Sequence, residues 1–168
     1  MILHYILGRE AFFMDIRFAE TRDIPGMISL LQQVGEVHHQ IRPDLFRSGA
    51  QKYDEAALEA LLKDESRPIF IADLDGRVAG YCFCILQITQ NDPVLRDRKV
   101  LYIDDLCVDE TIRGKGIASK LYAYTLDYAR ALGCQAVTLN VWYGNDAQIF
   151  YEKCGMKPQK IGMEYLLC

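Results

Sequence analysis

The feature that most restricts how this chain can fold is a β-rich run that leads through an acidic turn into a glycine loop and a helix. The run covers residues 99–108, the loop is R-G-K-G at residues 113–116, and an apolar helical stripe continues until Gly133. Glycine lets a backbone approach a ligand closely, and the first amides of a helix have no partners within it. The helix dipole also favours negative charge at this end. The segment therefore predicts a phosphate-binding strand–loop–helix unit.

The spacing of this loop excludes two common phosphate-binding motifs. A Walker A loop would require glycine and Ser or Thr where this chain has Asp109 and Gly116. A dinucleotide fingerprint counted from Gly114 would place Ser119 at its last glycine. The acidic turn is also long for the tight strand-to-helix junction of that motif, so we set both aside.

The rest of the sequence predicts strands and helices around this unit. Asp75-Gly76 between two β-rich runs, residues 69–74 and 77–88, is a strong hairpin signal. Further strands are predicted at residues 15–20, 99–108, 136–142 and 160–167, with helices at residues 21–34, 54–63, 114–132 and 146–153. Residues 35–51 are polar and broken by Pro43 and Gly49, and they are predicted to be mainly loop or a short helix. The order predicts a single-domain α/β fold with a mixed, mostly antiparallel sheet and helices on both faces.

The first thirteen residues, MILHYILGREAFF, are apolar but lack the features of a signal peptide. They lack the basic N-terminal region of a signal peptide, and Arg9 and Glu10 interrupt the apolar run. The run is also too short to span a bilayer. Met14 then opens a strand, a turn and an amphipathic helix. We interpret residues 1–13 as an N-terminal appendage, with translation from Met14 as an alternative, and residues 14–168 as the domain.

Composition limits the function classes. The chain has 19 basic and 23 acidic residues and no long basic run, so a nucleic-acid surface is not indicated. Its six cysteines form no CxxC pair, and His38 and His39 lack partners at metal-ligand spacing. We expect a cytoplasmic protein with reduced thiols, no metal, and neither nucleic-acid nor membrane partners.

Two motifs resemble those of the GNAT superfamily of N-acetyltransferases. R-x-x-G-x-A at residues 113–118 is similar to the family's coenzyme A-binding motif R/Q-x-x-G-x-G/A, with Ala118 in place of the commoner glycine. N-x-A-x-x-F-Y-x-x-x-G-M at residues 145–156 resembles the later signature of the family. The element order of residues 15–167 also matches the acyl-coenzyme A N-acyltransferase fold, so the resemblance covers nearly the whole chain.

The resemblance implies that acetyl-coenzyme A binds as co-substrate. In this family, the strand before the loop splays from the next strand, and its free edge binds the pantetheine arm and can form an oxyanion hole. Cys107 would then act through its backbone, and helix amides would hold the pyrophosphate. The implied cofactor-binding residues are Leu106, Cys107, Val108, Arg113, Gly114, Lys115, Gly116, Ile117, Ala118, Ser119 and Asn145.

The resemblance also implies catalytic roles. Tyr151 corresponds to the general acid that protonates the departing thiolate, although a core aromatic beside Phe150 is the alternative. A base must deprotonate the attacking amine, and Asp104 and Asp105 are the candidates. Because successive strand residues face opposite sides, at most one of them is expected to point into the cleft. The alternative is that both are cap or edge residues.

The sequence says less about the acceptor substrate and about the oligomeric state. In this family, residues equivalent to 36–47 wall the acceptor pocket, which makes His38, His39 and Arg42 candidate contacts. The favoured alternative is a solvated loop in which Arg42 bonds to backbone. The implied activity is direct acetyl transfer to a primary amine in a ternary complex, and the alternative is a non-catalytic acyl-coenzyme A sensor that regulates a partner. The apolar C-terminal strand would also suit a homodimer.

Overall fold

A five-stranded sheet forms the centre of the fold in the computed structural model, which describes residues 14–167. The predicted appendage, residues 1–13, lies outside the described residues. The strands are β1 (Met14–Phe18), β2 (Ile69–Leu74), β3 (Arg77–Thr89), β4 (Arg98–Val108) and β5 (Ala136–Leu139). They lie in sequence order, antiparallel from β1 to β4, and β5 runs parallel to β4. The predicted mixed, mostly antiparallel sheet is confirmed.

The predicted hairpin joins β2 to β3. Its two loop residues both have positive φ, 50° at Asp75 and 84° at Gly76. This is the conformation that matches the twist of the flanking strands, and Asp-Gly is a preferred pair for it. The Gly76 amide donates to the Asp73 side chain at 2.7 Å, which fixes the turn further.

Helices cover both faces of the sheet, as predicted. One face packs against α1 (Ile24–Ile41) and α2 (Glu55–Leu61), and the other against α3 (Ile117–Ala131) and α4 (Ala147–Lys153). Alternation along the strands separates the two cores, since Tyr81 faces α1 while its neighbour Cys82 faces α3. Short 3-10 turns, Thr21–Asp23 and Glu110–Ile112, precede α1 and follow β4. No helix within residues 14–167 is long and apolar enough to cross a membrane.

The first helix was predicted to end near residue 34, with mainly loop or a short helix after it, and this boundary is wrong because α1 continues to Ile41. Gly35 therefore lies inside the helix, where it permits a close approach of the chain that follows. A Cβ at Gly35 would lie 2.2 Å from the Ala50 carbonyl oxygen, so glycine lets the returning loop pack on the helix. The helix ends at the residues before Pro43, since proline disfavours helical backbone in the residue that precedes it.

Two strand predictions are also corrected. β5 ends at Leu139 rather than residue 142, and residues 160–167 form no strand. Alternating apolar residues favour an extended backbone, but a strand also needs a partner, and these residues pair with nothing within residues 14–167. The helix predicted from residue 114 begins at Ile117, because Gly114 and Gly116 both have positive φ.

Candidate functional site

A cleft opens where β4 and β5 separate. Their backbone pairing runs from Val100 and Ala136 to Ile103 and Leu139, whereas β4 continues to Val108. Beyond Ile103, the β5-facing edge of β4 has no strand partner within residues 14–167. The cleft has a volume of about 2950 Å³, and its walls include residues 104–108, the glycine loop and α4. It therefore exposes main-chain donors and acceptors along one wall.

The glycine loop lies at the end of this free strand edge. Gly114 and Gly116 have φ values of 80° and 76°, and Gly116 is the residue before the first turn of α3. A Cβ at either position would meet nothing within 4 Å, so backbone conformation rather than space requires glycine here. Arg113 Nε donates to the Val108 carbonyl oxygen at 3.3 Å and ties the loop to β4. The first amides of α3 are thereby held at the mouth of the cleft.

Most of the predicted cofactor-binding residues are brought together here. Lys115 lies in the loop between the two glycines, and the other ten line the cleft, namely Leu106, Cys107, Val108, Arg113, Gly114, Gly116, Ile117, Ala118, Ser119 and Asn145. Asn145 precedes α4, and its Oδ1 accepts from the Ala147 amide at 2.9 Å. That bond orients the Asn145 side chain and leaves its amide nitrogen for other contacts.

The Cys107 thiol is turned away from the cleft. Its Sγ lies 3.7 Å from the Leu30 carbonyl oxygen of α1, in the buried core of that face. Burial raises the pKa of the Cys107 thiol to about 12, which keeps it protonated near neutral pH. The thiol is therefore a core group, although Cys107 is among the residues that line the cleft.

Tyr151 packs in the hydrophobic core and also lines the cleft. Its ring centroid lies 5.1 Å from that of Phe150 and 6.2 Å from that of Tyr122. No hydrogen bond within residues 14–167 engages its hydroxyl. Burial, reinforced by nearby acidic groups, raises the pKa of Tyr151, so the phenol keeps its proton. Both interpretations of Tyr151 from the sequence are thus compatible with its position.

That at most one of Asp104 and Asp105 points into the cleft stays a prediction. Both residues line the cleft, however, and the alternation that would turn them to opposite faces of the sheet fails here. The reason is a β-bulge, because Phe83 pairs with Asp105 while the next residue, Cys84, pairs with Ile103. Asp104 is the extra residue in β4, and the strand's alternation of faces fails at this point. Both carboxylates consequently contact groups on the α1 side of the sheet.

The two carboxylates have different environments. Asp105 accepts from the Tyr81 hydroxyl at 2.8 Å, and burial raises the pKa of its carboxyl to about 6. Asp104 is half-buried and accepts from Lys52 Nζ at 2.6 Å and from the Tyr53 hydroxyl at 3.2 Å. Asp104 therefore pairs with the Lys52 ammonium group, whereas within residues 14–167 the side-chain partner of Asp105 is the neutral Tyr81 phenol.

Lys52 and Tyr53 are functional candidates that the sequence analysis missed. They lie between α1 and α2, and both donate hydrogen bonds to Asp104, which is more than 50 residues away in the sequence. Neither residue belongs to a recognisable motif or periodic pattern, so the sequence alone does not indicate them. Burial opposes the charge on Lys52, but the hydrogen bond to Asp104 and the nearby carboxylates outweigh it and raise the pKa of Lys52. The ring of Tyr53 stacks on Phe83, with centroids 5.7 Å apart, which fixes its hydroxyl toward β4.

The three residues predicted to contact the acceptor differ in their positions and partners. His38 lines the cleft, and burial together with the charge of Lys52 lowers its pKa. His39 does not line the cleft, and its Nδ1 lies 2.7 Å from the Phe46 carbonyl oxygen. Arg42 lines the cleft, but the expectation that its side chain bonds to backbone is wrong. Its guanidinium pairs with the carboxylates of Asp44 and Glu164, at 2.7 and 3.0 Å.

Within residues 14–167, no group of three or more His, Cys, Asp or Glu side chains is arranged to hold a metal ion. The polar groups of the cleft include a free strand edge, a helix N-terminus, a protonated phenol and the carboxylates of Asp104 and Asp105. Hydrogen bonding and proton transfer are therefore the chemistry that these residues offer.

This fold and cleft match the class of acetyltransferase that the two sequence motifs resemble. The model of the Acetyltransferase (GNAT) family matches residues 34–156, and the chain belongs to that family.

Relatives agree with this assignment. The uncharacterized N-acetyltransferase YhfO of Bacillus subtilis is 29% identical over 155 residues, which covers 92% of this chain and 97% of that protein. A glucosamine 6-phosphate N-acetyltransferase of Arabidopsis thaliana is 37% identical over 65 residues, and the match spans only 42% of its length. Among solved structures, a mutant of the BH1408 protein from Bacillus halodurans superimposes with a TM-score of 0.88 and 33% identity, over 92% of this chain and 99% of that one.

Proposed function

We propose that this protein is an N-acetyltransferase that moves an acetyl group from acetyl-coenzyme A to a primary amine, by direct attack in a ternary complex. The GNAT family to which it belongs uses acetyl-coenzyme A. The observation that carries the proposal is the cleft in which the free edge of β4 meets both the glycine loop and Tyr151.

The cofactor end of the cleft supplies backbone contacts. Amides of residues 115–119, at the positive end of α3, would bind the pyrophosphate, with Arg113 holding the loop against β4. The free edge at Leu106, Cys107 and Val108 would bond the pantetheine arm in the manner of an added strand. Asn145 would contact the cofactor through its amide nitrogen, since its oxygen already accepts from Ala147.

Acetyl-coenzyme A would supply the acetyl group as a thioester, and residues of this chain would accept a proton from the amine and donate one to the leaving sulfur. Asp105 would take the proton of the attacking amine, because its pKa of about 6 leaves it ionised but basic near neutral pH. Backbone amides of residues 106–108 would stabilise the negative charge that develops on the carbonyl oxygen. Tyr151 would donate a proton to the leaving sulfur. The orientation of the Cys107 thiol toward α1 supports direct transfer rather than a covalent cysteine intermediate.

The position of Lys52 supports a primary amine as the acceptor, because its ammonium group already lies at this end of the cleft. Its Nζ lies 2.6 Å from Asp104 and 5.4 Å from the centroid of the Tyr53 ring. A carboxylate together with an aromatic face is favourable for an alkylammonium ion. We infer that an acceptor amine would bind in the same environment, next to Asp105.

The test is titration calorimetry with acetyl-coenzyme A, followed by a thiol-release assay with a panel of primary amines. Dephosphorylated coenzyme and ATP serve as controls for selectivity. Selective binding together with amine-dependent thiol release is the expected result. Binding without turnover on any amine would favour the non-catalytic sensor, and no binding by the folded protein would exclude both functions.

A further inference from the structure

Tyr81 is a core residue whose polar end reaches the wall of the cleft. Its side chain lies in the core on the α1 side of the sheet, with 0% of its surface exposed. Its ring packs edge to face on that of Phe83, with centroids 4.7 Å apart, which restricts the ring to one orientation. Its hydroxyl donates to Asp105 Oδ2 at 2.8 Å, and Asp105 lines the cleft. The hydroxyl therefore connects the core to the proposed base.

Packing alone does not require a hydroxyl at this position. Phenylalanine has the same ring and would fill the same space, whereas a buried hydroxyl costs free energy unless it is hydrogen-bonded. A carboxylate that is withdrawn from water is more costly still. Tyr81 and Asp105 thus place two polar groups at the edge of an apolar core. Departures of this kind from what packing favours are expected at functional sites.

Charged and titratable groups face Asp105 from the neighbouring elements. Removal from water raises the pKa of its carboxyl, and the adjacent Asp104 carboxylate adds to this effect. Three donors lower this pKa, in decreasing order the Tyr81 hydroxyl, the Lys52 ammonium group and the Leu106 amide. The Cys107 thiol and the Tyr151 phenol keep their protons, because burial raises the pKa of each. Tyr81 is thus the donor that most favours the ionised form of Asp105.

We propose that Tyr81 is a positioning residue for acetyl transfer, and that its buried hydroxyl keeps the Asp105 carboxylate ionised and oriented to accept the proton of the acceptor amine. This role rests on the proposed function, in which Asp105 is the base. Tyr81 itself does not line the cleft, so it would act only through Asp105. When the amine N–H bond breaks, the proton would pass to Asp105. Tyr81 would keep its own proton throughout, because burial raises its pKa.

The test is the pH dependence of kcat/KM for Tyr81→Phe, which removes the hydroxyl and keeps the ring. The acidic limb should move to higher pH by about one unit or more, because a hydrogen bond to a charged group is lost. The loss of activity should therefore be roughly fivefold or more at pH 6 and small at pH 8, whereas a merely structural defect would lower activity equally at both. Tyr128→Phe is the matched control, because it removes a hydroxyl from an aromatic that packs on the core of the other face.

Two further measurements separate this role from the proposed function. Carbon-13 NMR titration of the full chain without substrates measures the pKa of Asp105 independently of turnover, with Asp105→Asn to assign its signal. Tyr81→Phe should raise that pKa. In the Asp105→Asn background, Tyr81→Phe should cause no further change in kcat/KM, because Tyr81 would act through Asp105. Circular dichroism checks the fold of each variant.

Several outcomes would overturn the proposal. If neither the NMR pKa nor the kinetic limb moves, Tyr81 has no positioning role, while amine-dependent thiol release would still support the proposed function. A shift by NMR alone would mean that Asp105 is not the base through which Tyr81 acts. A further loss in the double variant, or a Tyr81→Phe protein that does not fold, would mean that the hydroxyl serves the structure instead. Absence of turnover with every amine would remove the proposed function and this role together.

Discussion

The two ends of the cleft are built in different ways. The proposed cofactor end consists of backbone groups that are close together in sequence, from Leu106 to Ser119, and its geometry depends on two glycines with positive φ. The proposed acceptor end consists of side chains from separate segments, such as His38, Lys52 and Asp105. A motif can describe the first end but not the second. The predictions below test this difference, from the largest expected effect to the smallest.

Gly116→Glu should reduce affinity for acetyl-coenzyme A by more than about 100-fold, which calorimetry would measure. The substitution forces a side chain into left-handed backbone, which costs roughly 1–2 kcal/mol, and places a negative charge where the pyrophosphate would bind. Gly133→Glu is the control, because Gly133 has a similar φ of 71° but follows the far end of α3. Equal loss of affinity in both variants would mean that strain alone, and not the loop's position, explains the effect.

Tyr151→Phe should lower kcat by about 10²–10⁴-fold while the dissociation constant for acetyl-coenzyme A stays unchanged, since only a proton donor is removed. Steady-state kinetics and calorimetry would measure the two quantities separately. Tyr122→Phe is the matched control, because that ring also lines the cleft and lies 6.2 Å from Tyr151. An unchanged kcat in Tyr151→Phe would leave Tyr151 as a core aromatic only.

Asp105→Asn should lower kcat/KM by about 100-fold, because it removes the proposed base and keeps the size of the side chain. In the unaltered protein, kcat/KM should fall as the pH drops below about 6, since the buried Asp105 carboxyl is protonated there. The same descending limb should be absent in Asp105→Asn. Asp104→Asn provides the comparison, and a larger loss in that variant would reverse the assignment of the two carboxylates.

Lys52→Gln should change kcat/KM by less than about fivefold, because half-exposed ion pairs contribute at most about 1 kcal/mol. We expect a lower KM for a cationic acceptor, because Asp104 loses its ion pair with Lys52 and can then pair with the acceptor. Lys63→Gln, at an exposed position after α2, should leave the acceptor KM unchanged. A higher KM in Lys52→Gln would indicate that Lys52 contacts the acceptor instead of competing with it.

The sequence predicted the order of elements well and their lengths less well. The hairpin at Asp75-Gly76 was predictable because a two-residue turn depends on the conformation of those two residues. The continuation of α1 past Gly35 was not, because that glycine is needed for its contact with Ala50, and sequence patterns do not show such contacts. Residues 160–167 were predicted to form a strand because apolar residues alternate along them, but whether such a segment forms a strand depends on a neighbouring strand with which it can pair.

The sequence by itself determined the family and predicted the proposed cofactor half of the cleft. Those features depend on short segments in which the residue type sets the local backbone, as glycine does at residues 114 and 116. Only the tertiary structure decided that Asp104 and Asp105 share one face and that Lys52 and Tyr81 are their partners. The bulge that turns both carboxylates to one side arises from the pairing of β4 with β3. It is therefore a property of two strands together, and neither strand's sequence shows it alone.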